Sequence, residues 1–327
     1  MRDSVPCWKK NLAQGFSSAI ELLDFLNLPR SLADPLAEQL FKTRVPRGFA
    51  ERMQRGNPHD PLLLQVLATG SELLASEGYS EDPLGESKVN PVPGLIHKYL
   101  SRVLLVLTGA CAINCRYCFR RQFPYENNNP GREGWADALD YIRADTRINE
   151  VILSGGDPLL AKNMILEALL NKLAMIPHIR TVRIHTRIPV VLPERVESGL
   201  LRCLENTHLN KVIVLHCNHP QELNHHTAKA CQALRQVGCH LLNQTVYLKG
   251  INNDARILAL LNEQLFAQGI LPYYLHVLDK VQGAEHFDVP LDEVRAVFHE
   301  MQTLLPGYLV PRLVQEESGK KHKSLLV

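Results

Sequence analysis

From residue 102 onward, short branched-aliphatic runs alternate with longer amphipathic stretches, and that rhythm restricts the fold more than any other feature. The runs are RVLLVLT at 102–108, EVILSG at 150–155, TVRIHT at 181–186, KVIVLHC at 211–217, QTVYLK at 244–249 and YYLHVL at 273–278. Continuous apolar runs of this kind suit strands covered on both faces. WADALDYIRA, MILEALLNKLAMI, HHTAKACQALRQVG and ARILALLNEQLFAQG separate several of them as helical segments. Such alternation implies an α/β fold with a parallel sheet and right-handed crossovers. Six strands predict a partial (β/α)6 barrel, TIM-like in layout. A full eight-stranded barrel is the rival, since it takes about 250 residues.

Residues 1–95 read differently, as a helical region and linker. AIELLDFLNL, DPLAEQLFK and DPLLLQVLATGSELL are helix candidates, and the last two open on Asp-Pro, a capping residue followed by a first-turn proline. SEDPLGESKVNPVPGLIHKY is rich in turn residues and reads as a linker over a surface. The barrel is expected over 96–300, with a C-terminal segment at 301–327.

Composition excludes some classes of function. Lys plus Arg total 36 against 34 Asp plus Glu, a formal net charge of +2, which gives no electrostatic case for nucleic acid. No run approaches the roughly 18 to 20 apolar residues of a membrane span. The N-terminus has charges but no apolar run behind them, so no secretory signal is expected and the expected compartment is the cytoplasm.

Polar residues recur where these strands end. Gly155, Gly156 and Asp157 close the second run, His185 and Arg187 the third, and His216 the fourth; Gln244 opens the fifth and Asp279 follows the sixth. Carboxyl ends of parallel strands share one cavity, a rule Gln244 fits less well.

The first run leads into Cys111-Ala-Ile-Asn-Cys115-Arg-Tyr-Cys118, which holds three of the chain's eight cysteines. Three thiolates on one short loop can ligate three irons of a [4Fe-4S] cubane. The fourth iron is then open to the amino and carboxylate groups of S-adenosylmethionine, whose reductive cleavage gives a 5′-deoxyadenosyl radical. Zinc is the competing reading, but it needs a fourth ligand and usually a second cysteine pair. A redox or structural iron–sulfur protein would need a fourth cysteine, and of Cys203, Cys217, Cys231 and Cys239 only Cys217 stands at a strand end. Gly155-Gly156-Asp157-Pro158 equally fits a turn that merely ends a strand.

The CxxxCxxC run resembles that of the radical S-adenosylmethionine superfamily, whose members carry an aromatic residue before the last cysteine, as Tyr117 does. From about Leu95 onward the chain resembles the lysine 2,3-aminomutase family. The likeness is carried by GLIHKYLSRVLLVLTGACAINCRYCFRRQF, VILSGGDPL, RIHTRIPVVLPERV, VIVLHCNHPQEL, LLNQTVYLKGIN and LPYYLHVLDKVQGAEHF. This resemblance implies an isomerase that moves the α-amine of L-lysine to the β-carbon by radical chemistry. It also implies a second cofactor, pyridoxal 5′-phosphate, on a Schiff-base lysine near the C-terminus.

Spacing from the cysteine loop puts that lysine at Lys323, with Lys320 and Lys321 as competitors. Gly319 stands where the family has a run of glycines, and no proline follows the lysine. A basic, solvated tail is the plainer reading. By the same resemblance Arg120 takes the substrate α-carboxylate, while Arg121 could instead hold the cluster loop or a surface carboxylate. Asp279 and Glu316 take the side-chain amine, Glu316 replacing the commoner aspartate; a surface role is the plain reading of each. Lys98, Tyr99 and Arg187 fall to the pyridoxal cofactor. Gly155, Gly156, Asp157, His216 and Gln244 fall to S-adenosylmethionine. Tyr99 and His216 equally fit core residues.

The short chain and tail resemble the bacterial members that supply β-lysine, of which the resemblance implies the R isomer, for modification of elongation factor P by its ligase. A flavodoxin or ferredoxin is the implied electron donor, and homo-oligomers occur in the family. Alternatives are a glutamate aminomutase, or a cluster enzyme without pyridoxal.

Overall fold

The computed structural model describes residues 6–128 and 135–327. Among the described residues nine strands form one sheet in sequence order. They are β1 (Leu95–Tyr99), β2 (Arg102–Thr108), β3 (Glu150–Gly155), β4 (Thr181–Thr186), β5 (Asn210–His216), β6 (Cys239–Val246), β7 (Leu271–His276), β8 (Arg312–Gln315) and β9 (Ser324–Leu325). From β2 to β8 every neighbouring pair is parallel. β1 and β9 cap the two edges antiparallel. The six expected strands are therefore present as β2–β7. β8 adds a seventh parallel strand, so residues 312–325 extend the barrel sheet.

Crossover helices cover the outside. Asn163–Ala174 turns Leu166, Leu169, Leu170 and Leu173 into the core, and Ala255–Ala267 does so with Leu258, Leu261 and Leu265. Leu291–Leu304 was not singled out in the sequence; its Val294, Phe298 and Met301 pack against Leu275 and Leu313 of β7 and β8. Among the described residues no helix is long and apolar enough to cross a membrane.

The N-terminal region packs onto the barrel, with Phe49, Leu62 and Leu63 in the same core cluster as Leu105 and Leu153. Asp34 and Asp60 cap their helices as the Asp-Pro pairs predict, each accepting two backbone N–H groups at 2.8–3.0 Å. DPLLLQVLATGSELL is not one helix, however. The α-helix stops at Leu64, and a single 3-10 turn covers Gly70–Leu73. Gln65 is drawn out of the helical pattern: its carbonyl accepts from Arg116 N at 2.9 Å and its amide donates to Glu222 at 3.1 Å.

Two further expectations are corrected. β6 starts after the left-handed Gly238 (φ 81°), so Gln244 stands near its carboxyl end, opposite His216, and obeys the strand-end rule. The segment around 80–90 is not a surface linker, because Leu84 and Glu86 are buried.

Candidate active site

The cysteine loop leaves β2 at Thr108 and is pinned from below. Asn114 donates its side-chain amide to Lys42 O at 2.8 Å and its N–H to Arg44 O at 3.0 Å; Arg44 in turn donates to Cys111 O at 2.9 Å. Arg116 is 0% exposed and forks onto Glu72 at 2.8 and 2.5 Å, while also donating to the carbonyls of Phe41 and Ala37. Arg121 reaches the same Glu72 at 2.6 Å. Arg121 is thus a loop anchor, one of the two roles the sequence left open.

These anchors leave Cys111, Cys115 and Cys118 as free, partly exposed thiols at one strand end. Burial and the neighbouring Cys115 push the Cys118 thiol up to about 11; burial, Cys118 and Asp157 raise Cys111 too. Among the described residues no three His, Cys, Asp or Glu converge on a single ion. A cubane makes a different demand, since each thiolate takes a separate iron.

The turn after β3 lies directly against this loop. Gly155 has φ 114°, and a Cβ there would sit 2.6 Å from Thr108 O. A Cβ on Gly156 would collide with the Ala110 carbonyl. Gly156 N and Asp157 N donate to Thr108 O and Ala110 O at 2.6 and 2.8 Å. Only glycine permits this approach. Both Asp157 carboxylate oxygens are used internally, on Thr186 Oγ1 at 2.7 Å, Arg187 N at 2.8 Å and Leu159 N at 3.1 Å.

Arg187 stands with the cysteines rather than with Lys98 and Tyr99. Its guanidinium donates to Cys115 Sγ at 2.7 Å, Glu222 at 2.8 Å and Gln65 at 2.5 Å. The sequence had grouped it with the pyridoxal pocket. The reason for the difference is that it follows β4, next to the turn that backs the cysteine loop.

A second cluster assembles across β1, β7 and β8. Lys98 Nζ lies 3.0 Å from Glu316 Oε1 and 3.3 Å from Glu86 Oε1. Lys323, carried back by β9, pairs with the other oxygen of Glu316. Lys323 is 20% exposed and faces this cluster, whereas Lys320 is 56% exposed and pairs with Glu317. The tail is therefore not a solvated basic run at Lys323.

Asp279 and Glu316 border a recess of about 280 Å³ with Leu84 and Leu278. Burial, reinforced by Glu316, raises the Asp279 carboxyl to about 7; Lys323 and Lys98 hold Glu316 far below its ordinary value despite its burial. Tyr99 is raised by burial and by Glu316, and Arg102 lies 4.2 Å above its ring.

Arg120 connects the two clusters. It forks onto Glu86 at 2.7 and 2.8 Å and donates to Ser154 Oγ at 2.9 Å. Glu86 and Ser154 were not singled out in the sequence, and neither were Gln65, Glu222 and Asn218, which back Arg187 and Tyr117. An acid inside a Gly/Pro-rich stretch carries no local sign of burial.

His216 and Gln244 meet at 2.8 Å across β5 and β6. Burial drives the His216 pKa down to about 3 and depresses His185 and His276 as well. Among the described residues His185 Nε2 and His276 Nε2 have no hydrogen-bond partner.

Thiols, glycine cradle and ion cluster thus share one barrel end, the layout of a radical enzyme. Residues 105–261 match the Radical SAM superfamily. The chain is 48% identical to the L-lysine 2,3-aminomutase of Haemophilus influenzae over 97% of its own length and 95% of that protein. It is 47% identical to the Escherichia coli L-lysine 2,3-aminomutase over 98% and 94%, and 34% identical to that of Clostridium subterminale over 95% and 76%. The protein is therefore a radical SAM enzyme with the partial (β/α) barrel and N-terminal helical region of that class. Within it, the chain belongs to the L-lysine 2,3-aminomutase family of isomerases.

Proposed function

We propose that this chain is a lysine 2,3-aminomutase, converting L-lysine to β-lysine with a [4Fe-4S] cluster, S-adenosylmethionine and pyridoxal 5′-phosphate. The observation that carries the reading is the return of Lys323 through β9 to Glu316, Lys98 and Asp279, at the barrel end that also bears Cys111, Cys115 and Cys118.

The residues fit these groups. Burial raises the Cys111 and Cys118 thiols, and with Cys115 on the same loop they present three sulfurs that coordination to a metal would deprotonate. The Gly155–Gly156 turn offers backbone close to the loop, and Arg187, His216 and Gln244 line the same strand ends. The unpartnered ring nitrogens of His185 and His276 leave polar capacity for a polar visitor. When bound, the cluster supplies an electron to S-adenosylmethionine, and pyridoxal phosphate supplies the carbonyl that carries the migrating nitrogen.

The chain's own groups do the rest. Lys323 offers its Nζ to that carbonyl, with Lys98 and Tyr99 beside it. Arg120 takes the substrate α-carboxylate. Asp279 and Glu316 take the side-chain ammonium. A glutamate side chain would instead place a third carboxylate beside these two, which favours lysine. Neutral buried histidines and the enclosing barrel keep water from reactive intermediates.

The Haemophilus and Escherichia relatives are matched nearly end to end, whereas the Clostridium relative is longer. We place the chain with the short bacterial type, supplying (R)-β-lysine to elongation factor P and its ligase, with a flavodoxin or ferredoxin as reductant. The test is anaerobic reconstitution with iron, sulfide and pyridoxal phosphate, followed by reductant, S-adenosylmethionine and L-lysine. Chiral mass spectrometry should find β-lysine, and the ligase should transfer it to elongation factor P. An intact cluster and bound pyridoxal without β-lysine would overturn the reading.

A further inference from the structure

A carboxylate already sits on the guanidinium that this reading gives to the substrate. Glu86 takes Nε–H and one Nη2–H of Arg120, at 2.7 and 2.8 Å, and Ser154 takes one Nη1–H at 2.9 Å. A guanidinium has five N–H donors in a rigid plane. Two remain, one on each terminal nitrogen, and two such donors can grip a carboxylate bidentately. We propose that Glu86 is the positioning residue for Arg120: it fixes one edge of the guanidinium and so presents the remaining pair of donors to the substrate α-carboxylate. The proposal rests on the assignment of Arg120 above and goes beyond it.

Glu86 is itself held firmly. It is 4% exposed, and its N–H donates to Asp82 Oδ1 at 2.8 Å. Gly85 before it is left-handed (φ 61°), and a Cβ there would collide with the Ser318 side chain. The segment is therefore wedged against the tail that carries Glu316 and Lys323. Burial alone would raise the Glu86 carboxyl, but Arg120 and Lys98 outweigh it and keep the group ionised. Lys98 lies between Glu86 and Glu316. Ser154, Arg120, Glu86, Lys98, Glu316 and Lys323 thus form one chain of polar contacts joining the two ends at which an amino acid would be gripped. Rotating Arg120 away would leave the buried Glu86 with Lys98 as its only cation among the described residues, in place of a two-toothed guanidinium.

The test uses reconstituted, unreduced holoenzyme. Calorimetry gives the Kd of L-lysine and of L-lysinamide, which lacks the carboxylate, for the parent, Glu86→Gln, Glu86→Asp and Arg120→Lys; turnover of L-lysine gives kcat and KM. Glu86→Gln should weaken L-lysine roughly 10- to 100-fold in Kd and KM, change kcat less, and leave lysinamide near the parent value. Glu86→Asp should restore part of the preference for lysine. Unchanged or tighter lysine binding in Glu86→Gln, as for a placeholder that substrate displaces, overturns the proposal, and so does a parallel loss for lysinamide. If Arg120→Lys keeps the lysine preference, the assignment of Arg120 itself fails. Circular dichroism and iron content check folding; should Glu86→Gln not fold, Glu86→Asp decides by the same ratio, a lysine preference reduced from the parent's but still present being the expected result and an unchanged preference overturning the proposal.

Discussion

Around the cysteine loop each buried guanidinium has acceptors of its own: Arg116 has Glu72 and two carbonyls, and Arg187 has Glu222, Gln65 and Cys115, with only its Nε–H unpartnered among the described residues. Around Glu316 the pairing does not close. Lys98 and Lys323 both turn to Glu316, while Asp279, which borders the same recess, is driven up to about 7 by burial and by that same Glu316. The first region keeps its shape with nothing bound. The second holds one carboxylate raised to about 7, whose ionisation an arriving cation would favour, as expected of a site for an ammonium group.

The largest expected effect tests which lysine the second region is built around. Lys323→Ala should abolish β-lysine formation and the absorbance of bound pyridoxal, while Lys320→Ala and Lys321→Ala retain both. Next is the self-sufficiency of the first region. Arg116→Met leaves Glu72 with Arg121 as its cation and strips the Phe41 and Ala37 carbonyls of a donor, so it should cost about 1–3 kcal/mol in denaturant unfolding; a loss under about 0.5 kcal/mol would mean that the loop does not depend on this pair.

Asp279→Asn separates function from stability. It should raise the KM for lysine roughly thirtyfold, about 2 kcal/mol. The parent should bind lysine more tightly as pH rises through about 7, and the variant should lack that dependence. The stability effect has the opposite sign. The folded pKa of about 7 lies above the ordinary 3.8, so the folded state holds the proton more tightly; that stability is complete below 3.8 and is lost as pH rises through 7. The Tm of the variant should therefore exceed the parent's by a margin that widens from pH 4 to pH 7 and then levels.

Gly85→Ala should cost about 1 to 2 kcal/mol, because it strains a left-handed position and crowds Ser318. The smallest effect serves as the control. Leu74→Ser, at an exposed position outside both regions, should stay within about 0.5 kcal/mol by thermal melt.

Much of this was legible. The branched-aliphatic runs located β2 to β5 and β7, while the 244–249 run caught only the last three residues of β6. The CxxxCxxC run and its placement after a strand marked the cysteine loop without any structure. What escaped was decided by long-range partners. The run after Asp60 has helical spacing, yet Gln65 leaves the pattern to serve Arg116 and Glu222, residues far along the chain. The turn-rich stretch at 80–90 has the composition of a surface linker, and only its contacts with Arg120 and Ser318 make it a wall of the site. Lys323 was identified through family spacing, since the tail's composition alone argues for solvent.

The strand that brings Lys323 home is short. β8 and β9 share two register pairs, Val314–Leu325 and Gln315–Ser324, against six between β5 and β6. Local opening free energy scales with such cooperative bonding. The hairpin should accordingly behave as its own unfolding unit, exchanging the amide protons of residues 324–326 well before those of the barrel. Loading the cofactor then resembles closing a latch: the barrel stays folded throughout, and the bound pyridoxal group should slow exchange at the hairpin alone.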